Sequence, residues 1–166
     1  MAAPVSGSEG TAAGSGEHVR VAPGGVRWDP EAVSRVAQDY DLDLVVLFGS
    51  RAKGRSIRGS DIDVAVRRRH GLPRPVTPED VDRELALMGE LVSAIWAEDG
   101  DIDVVFLNGQ SPLLLFEVAR AGIPLYEATP LAFFHFRSYA ARLYDTNRKF
   151  FQARRDYLRR EFLGSR

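Results

Sequence analysis

The hydrophobic positions of the chain fall into short continuous runs and longer stretches with helical spacing. The run from Leu44 to Phe48 is continuous and rich in β-branched and aromatic residues, which is typical of a strand buried on both faces. The segments from Asp61 to Val66 and from Asp101 to Leu107 each begin with two acids and continue as apolar runs. With a short run around Pro124 to Tyr126, these segments predict four strands.

Helices are predicted by one repeated signal, a capping side chain followed by proline at the first helical position. It occurs at Asp29-Pro30, Thr77-Pro78, Ser111-Pro112 and Thr129-Pro130. The predicted helices run from about Pro30 to Tyr40, from Pro78 to about Glu98, from Pro112 to Arg120 with Gly122 as the C-terminal glycine, and from Pro130 towards the C-terminus. Helices alternating with strands indicate an α/β sheet with helices packed against it.

The second predicted helix has an apolar face at helical spacing. We expect this face to pack on the sheet; its residues are Val81, Leu85, Met88, Leu91, Val92, Ile95 and Trp96.

Composition divides the chain into three parts. With 166 residues and 45% hydrophobic content, one modest domain with an appendage is expected. Residues 1–25 are rich in Gly, Ala and Ser and predict a disordered leader, with a short edge strand at Val19 to Val21. Residues 26–129 predict the folded domain. Residues 130–166 predict a basic, aromatic C-terminal helix.

Charge is distributed unevenly along the chain. The net charge is −1, but residues 130–166 hold nine Lys or Arg against three Asp or Glu, so this segment carries +6 and the rest −7. Such asymmetry indicates a basic arm that meets an acidic partner or folds back on the domain. The absence of cysteine excludes disulfides and thiolate chemistry. No apolar run has the length of a membrane span, so we expect a cytoplasmic protein without a membrane contact.

The candidate chemistry lies between the first two strands. Gly49-Ser50 ends the first strand, where exposed backbone N–H groups can bind phosphate oxygens. Ten residues after Ser50 come Asp61 and Asp63, which project from one face because strand residues two apart share a face. Paired carboxylates repel unless a cation lies between them, and Mg²⁺ binds carboxylates together with substrate phosphates. The segment is therefore predicted to hold a metal-bound triphosphate.

The pattern G-S-x10-D-x-D, which begins with the segment GSRAKG, resembles that of the nucleotidyltransferase superfamily that includes DNA polymerase β. Within it, the short chain is similar to the minimal nucleotidyltransferases, the MntA-type antitoxin group. The resemblance implies a DNA polymerase β-like nucleotidyltransferase fold, a mixed sheet with helices packed on it, here with a C-terminal helical tail. It also implies ATP as substrate and two Mg²⁺ ions held by carboxylates.

The resemblance assigns roles to the motif residues. Asp61 and Asp63 are the expected catalytic metal ligands, and Gly49 and Ser50 are expected to bind the β- and γ-phosphates. Two basic residues follow the turn on a predicted short helix, Arg51 and Lys53. From their position they are expected either to add positive charge at the phosphates or, equally, to be solvated.

A third carboxylate is expected from a neighbouring strand, as a metal ligand or as the general base for the attacking hydroxyl. The residues alone leave two candidates on one face, Asp101 and Asp103. The family strand resembles Ile102-Asp103-Val104-Val105 best, and so the resemblance selects Asp103.

The C-terminal segment interleaves aromatic residues with arginines. Three interpretations stay open: a helix packed on the domain, an interface with a partner protein, or stacking on RNA bases. Resemblance to MntA-type proteins implies docking to a HEPN-type ribonuclease toxin, and nucleic-acid binding is disfavoured.

We therefore expect an enzyme that transfers AMP from ATP to a hydroxyl group, with Mg²⁺. The resemblance implies that the acceptor is a tyrosine of a HEPN-type toxin and that the chain acts as its antitoxin. Two alternatives remain. One is a small-molecule nucleotidyltransferase of the aminoglycoside type, and the other is an antitoxin that acts by binding alone.

Overall fold

The computed structural model describes residues 19–70 and 77–163. The strands are β1 Arg20–Val21, β2 Arg27–Trp28, β3 Leu42–Leu47, β4 Ile62–Arg68, β5 Ile95–Trp96, β6 Ile102–Phe106 and β7 Ile123–Glu127. The helices are α1 Pro30–Asp39, α2 Gly49–Ala52, α3 Pro78–Ala94, α4 Pro112–Ala121 and α5 Ala132–Leu163, with a 3-10 turn at Pro23–Gly25.

The main sheet is mixed, with strand order β6-β4-β3-β7. Strand β4 is parallel to β6, whereas β3 is antiparallel to both β4 and β7. A second, small antiparallel sheet has the order β1-β2-β5. The predicted fold class, an α/β fold with a mixed sheet covered by helices, is confirmed.

Helices cover both faces of the main sheet. On one face, sheet residues pack with α1 and α3; this cluster contains Val45, Leu47, Ile62, Val64, Val66, Val33, Val36, Leu87 and Leu91. On the other face they pack with α4 and α5; this cluster contains Leu44, Val46, Ala65, Leu115, Val118, Phe133, Phe136 and Ala140. The predicted burial of the first strand on both faces is confirmed, as is the core-facing set Ile62, Val64 and Val66.

Three of the four predicted helix caps are confirmed. The side chains that accept hydrogen bonds from the first helical turn are those of Asp29, Thr77 and Ser111. The prediction at Thr129-Pro130 was wrong, because α5 begins two residues later, at Ala132. Leu131 has a φ of 68°, a left-handed conformation that separates the proline from the helix.

The second predicted helix is shorter than expected and turned differently. It ends at Ala94 rather than near Glu98 because Ile95–Trp96 leaves the helix to pair with β2. Its buried residues are Leu87, Leu91 and Ala94, whereas Val81, Leu85 and Val92 are exposed. Apolar residues lie on more than one side of this helix, and its spacing therefore did not determine the buried face.

Gly122 follows α4 but is not a left-handed cap, since its φ is −72°. A Cβ at this position would lie 2.5 Å from the Val118 carbonyl oxygen and 2.6 Å from Cγ1 of Val46. Glycine here allows the end of α4 to approach β3 closely, which is a packing role rather than a conformational one.

The predicted leader lies largely outside the described residues, which begin at residue 19. Its last part is folded: β1 lies where a short edge strand was predicted, and the 3-10 turn follows it. Ala22 between them is buried, as is Val26 directly after the turn. Sequence composition missed these contacts because the apolar residues are few and small. No helix in the described part of the chain is both long and apolar enough to cross a membrane.

Replacing Phe136 with alanine is expected to lower the free energy of unfolding by about 3–5 kcal/mol, because its ring fills the core between α5 and the sheet. Phe136 is 1% exposed, whereas Phe134 on the same helix is 59% exposed. The matched substitution Phe134→Ala should cost less than about 1 kcal/mol. Urea unfolding of both variants measures the difference, and equal losses would contradict the packing described here.

Candidate functional site

The turn after β3 lies directly against a carboxylate. Gly49 has a φ of 72°, a conformation that glycine adopts at little cost. A Cβ at Gly49 would overlap Oδ2 of Asp63, and it would lie 2.6 Å from the Asp63 carboxyl carbon. The Phe48 N–H also donates to the Asp63 carbonyl oxygen at 2.9 Å. This contact between turn and acid requires glycine.

The acids lie on one face of the sheet. Asp63 is directly opposite Asp103 in the parallel ladder of β4 and β6, at the strand spacing of about 4.8 Å. Asp61 precedes Asp63 by two residues and shares its face. This face also carries Ala65, which packs towards α4 and α5. The register thus places Asp103 beside the Asp-x-Asp pair.

Asp101 lies at the start of β6, outside the strand. Its carbonyl oxygen accepts a hydrogen bond from the Ile62 N–H at 2.7 Å, and the residue is exposed. Its backbone therefore has a structural role at the beginning of the β4–β6 ladder.

The electrostatics of Asp63 reflect this crowding. Burial raises the pKa of its carboxyl, and the charges of Asp103 and then Asp61 raise it further. Lys53 and the Ser50 backbone N–H act in the opposite direction and lower the pKa. Two neighbouring acids, the lysine and the turn thus influence the carboxyl group of Asp63, and the crowding of negative charge favours cation binding.

Lys53 is also paired with an acid that the sequence did not point to. Its Nζ lies 3.5 Å from Oε2 of Glu117 on α4, and the same oxygen is 3.1 Å from Arg120. The hydrogen bond from Arg120 is the main reason why the pKa of Glu117 is lowered. No motif marks Glu117, because its partner is 64 residues away. Lys53 therefore contacts α4, and its charge also acts on the Asp63 carboxyl.

The side chain of Arg51 does not lie where the sequence predicts it to lie. Its side chain is buried and does not lie free for a phosphate. The guanidinium donates to the carbonyl oxygens of Gly24, Ser60 and Asp99 and to the Asp99 carboxylate. The other expected residues come together around Asp63, namely Gly49, Ser50, Lys53, Asp61 and Asp103.

The donor set fits a hard divalent ion, although the described residues contain no group of three or more His, Cys, Asp or Glu that could hold a metal by itself. Mg²⁺ binds through one or two carboxylates and completes its shell with water and substrate phosphates. Asp63 beside Asp103, with Asp61 on the same face, meets this requirement. Nucleotide oxygens would therefore complete the coordination.

The pKa of the Asp99 carboxyl is lowered, mainly by the hydrogen bond from Arg51 and then by that from the Gly59 N–H. A folded-state pKa below the unfolded value gives stability that is present above about pH 4 and is lost as the pH falls through the folded-state pKa. Wild type should therefore exceed Asp99→Asn in Tm at pH 7, and the difference should shrink below about pH 4. Differential scanning fluorimetry over pH measures this, and a pH-independent difference would contradict it.

Comparison with known proteins agrees with this geometry. The family model described as Polymerase beta, Nucleotidyltransferase matches residues 31–130. No curated protein matches the chain significantly.

Among solved structures, a toxin–antitoxin with AMP-PNP is 27% identical, with a TM-score of 0.60, over 78% of this chain and 98% of that chain. A mutant of the MntA toxin–antitoxin pair is 26% identical, with a TM-score of 0.59, over 78% and 97%. The complex of a tri-AMPylated Shewanella oneidensis HEPN toxin with its MNT antitoxin is 25% identical, with a TM-score of 0.55, over 78% and 94%.

The matched residues contain the Gly49 turn, the Asp-x-Asp strand and Asp103, and they make up more than half of the chain. The chain belongs to the polymerase beta nucleotidyltransferase family.

Proposed function

We propose that this nucleotidyltransferase moves AMP from ATP to a tyrosine hydroxyl of a HEPN-type toxin, with Mg²⁺, and thereby acts as its antitoxin in the cytoplasm. The observation that carries the chemistry is the Gly49 turn pressed against Asp63, with Asp103 in register beside it. The similar structures support the substrate and the acceptor, because one contains AMP-PNP and another an AMPylated HEPN toxin.

Asp61, Asp63 and Asp103 would hold the metal, for which the crowded carboxylates on one sheet face are suited. When bound, Mg²⁺ neutralises the triphosphate and stabilises the attacking and leaving oxygens. The Ser50 hydroxyl and the turn backbone would bind the β- and γ-phosphates. Lys53 would exchange Glu117 for a phosphate, since its present pairing at 3.5 Å is long and partly exposed pairs contribute little.

Transfer forms a bond between the tyrosine oxygen and the α-phosphorus and breaks the bond from that phosphorus to the bridging oxygen. Pyrophosphate leaves, and the tyrosine proton passes to the carboxylate oxygen of Asp103 that does not bind the metal, so that Asp103 would act both as metal ligand and as general base. Asp103 suits this role because its side chain is exposed and adjacent to the Asp63 carboxylate in the ladder. The chain's contribution is positioning and charge, which dominate phosphoryl-type transfer.

The C-terminal helix α5 would dock the toxin. Its first half packs on the domain through Phe133, Phe136 and Ala140. Its second half extends beyond this cluster and exposes Phe150 by 64% and Tyr157 by 61%. Residues seven apart lie on one helix face, so these two aromatics form a single stripe. Exposed aromatics beside arginines are typical anchors of protein interfaces.

Substituting Tyr157 with alanine is expected to weaken toxin binding by about 30-fold, the effect of losing one interface anchor of about 2 kcal/mol. The matched variant Tyr139→Ala removes another exposed tyrosine, 49% exposed on the domain-packed half, and should change Kd less than about threefold. Calorimetric titration of the toxin measures both. A larger loss for Tyr139→Ala would place the interface elsewhere.

The direct test of the reaction is pyrophosphate release from ATP in the presence of Mg²⁺ and the toxin. The proposal predicts release that depends on both the metal and the toxin. Release that is stimulated by aminoglycosides rather than the toxin would favour the small-molecule enzyme, since ATP would then be consumed without a protein acceptor. Toxin neutralisation without pyrophosphate release would favour an antitoxin that acts by binding alone.

A further inference from the structure

Arg51 directly follows the Gly49-Ser50 turn and is the one charged residue counted as buried among the described residues, at 3% exposure. Its Nε donates to the Ser60 carbonyl oxygen at 2.9 Å, and Nη1 donates to that of Gly24 at 2.8 Å. Its Nη2 reaches the Asp99 carboxylate at 2.9 Å and also contacts the carbonyls of Ser60 and Asp99. A guanidinium without these acceptors would be too costly to bury.

The acceptors belong to segments that lead into the catalytic strands. Ser60 immediately precedes Asp61, and Asp99 lies four residues before Asp103. The Asp99 carboxylate also accepts a hydrogen bond from the Gly59 N–H at 2.7 Å. Arg51 and Asp99 together therefore connect the start of β4 to the start of β6, the two strands that carry the acids.

Close backbone packing leaves this network little freedom. A Cβ on Gly24 would lie 2.8 Å from the Arg51 Cα, and Gly24 has a φ of 74°. A Cβ on Gly100 would overlap the Ser60 carbonyl oxygen and lie 2.8 Å from Nη2 of Arg51. Two glycines thus allow the N-terminal turn and the segment before β6 to close around one guanidinium.

A phosphate-binding role would require Arg51 to leave these acceptors. The Gly24 carbonyl and the Asp99 carboxylate would each lose a hydrogen bond to a charged donor, and such bonds are among the stronger ones in proteins. The contacts of Lys53 are fewer and partly exposed, which makes it the better phosphate ligand of the two.

We propose that Arg51, through Asp99, is a positioning residue that sets Asp61 and Asp63 relative to Asp103. This inference rests on the proposed function. A displacement of the acids by about 1 Å is enough to slow a positioned reaction by up to about 100-fold. The loss would appear in kcat, because the nucleotide contacts of the turn and Lys53 remain.

The test compares Asp99→Ala with Asp43→Ala. Asp43 pairs with Arg67 at 2.6 Å, near the other end of the β3–β4 ladder, so it matches the chemistry without touching the site. Arg51→Lys is the second variant, because it keeps the positive charge but loses the planar guanidinium with its several N–H donors.

Circular dichroism and Tm establish that each variant is folded, and kinetics are measured about 15 °C below each Tm. Binding of Mn²⁺ with a non-hydrolysable ATP analogue, followed by electron paramagnetic resonance, requires no acceptor.

At saturating Mg²⁺, we expect Asp99→Ala and Arg51→Lys to lower kcat about tenfold or more and to change KM for ATP less than about threefold. Asp43→Ala should lose Tm but keep kcat. Equal kcat for Asp99→Ala and Asp43→Ala would overturn the inference, as would a rise in KM alone for Arg51→Lys.

The Mn²⁺ readout separates this inference from the proposed function. If wild type transfers no AMP, the proposed function fails, and metal binding still decides the role of Arg51. Weaker Mn²⁺ binding by Asp99→Ala than by Asp43→Ala would support positioning of the acids, and equal binding would overturn it.

Discussion

Replacing Asp63 with asparagine is expected to lower the rate of AMP transfer by at least about 1,000-fold. Asparagine keeps the shape of the side chain but removes the charge needed for the metal. Asp63 is the carboxyl on which the turn, Asp61, Asp103 and Lys53 all act, so no neighbouring acid replaces its geometry. Pyrophosphate release under saturating ATP and Mg²⁺ measures the loss.

The same substitution should not lower the stability of the fold. Because burial and like charges raise the pKa of Asp63, its ionised form opposes folding at neutral pH, and asparagine should leave Tm unchanged or higher. Asp101→Asn is the matched control, since that exposed residue contributes its carbonyl rather than its carboxylate. An inactive Asp101→Asn alongside an active Asp63→Asn would reverse the assignment of the site.

Replacing Gly49 with alanine is expected to lower transfer by about 100-fold or more and to destabilise the fold by about 1–3 kcal/mol. The added Cβ would overlap the Asp63 carboxylate, and the φ of 72° is unfavourable for alanine. The acid must move or the turn must open, and either change separates the turn from the metal ligands.

Gly109→Ala controls for the backbone conformation. Gly109 has a φ of 77° but no atom within 4 Å of an added Cβ, and it follows β6 on the side away from the acids. It should cost about 1 kcal/mol of stability and leave activity intact. Urea unfolding and pyrophosphate release, measured on both variants, separate the backbone strain of a positive φ from the steric overlap with the Asp63 carboxylate. Equal activity in the two variants would contradict the close contact at Asp63.

Local sequence signals predicted most of the fold. The caps Asp29, Thr77 and Ser111 each satisfy the start of a helix through contacts a few residues away. The period of two placed Asp61 and Asp63 on one face, and burial of Ile62 and Val64 follows from the same period. The site residues chosen from the sequence remain predictions. The structure brings Asp103 into register beside Asp63, whereas it buries Arg51 among other acceptors.

Long-range contacts were not predictable in this way. Arg51 donates hydrogen bonds to partners that are separated from it by 27 and by 48 positions in the sequence. No local sequence pattern near Arg51 predicts either partner. Strands β1, β2 and β5 are two residues long, too short to show a period. The face of α3 was also ambiguous, since Leu87 and Leu91 are buried while Val81 and Leu85 are exposed. Tertiary packing decided these features, not local preference.

The central claim is that this chain transfers AMP to a protein, and intact mass spectrometry tests it most directly. The HEPN-type toxin is incubated with this protein, ATP and Mg²⁺, and its mass is compared with that of samples lacking Mg²⁺ or containing the Asp63→Asn variant. We predict an increase by whole AMP units on a tyrosine, in the complete wild-type reaction alone. An unchanged toxin mass in a complex that nevertheless forms would contradict the claim and indicate neutralisation by binding.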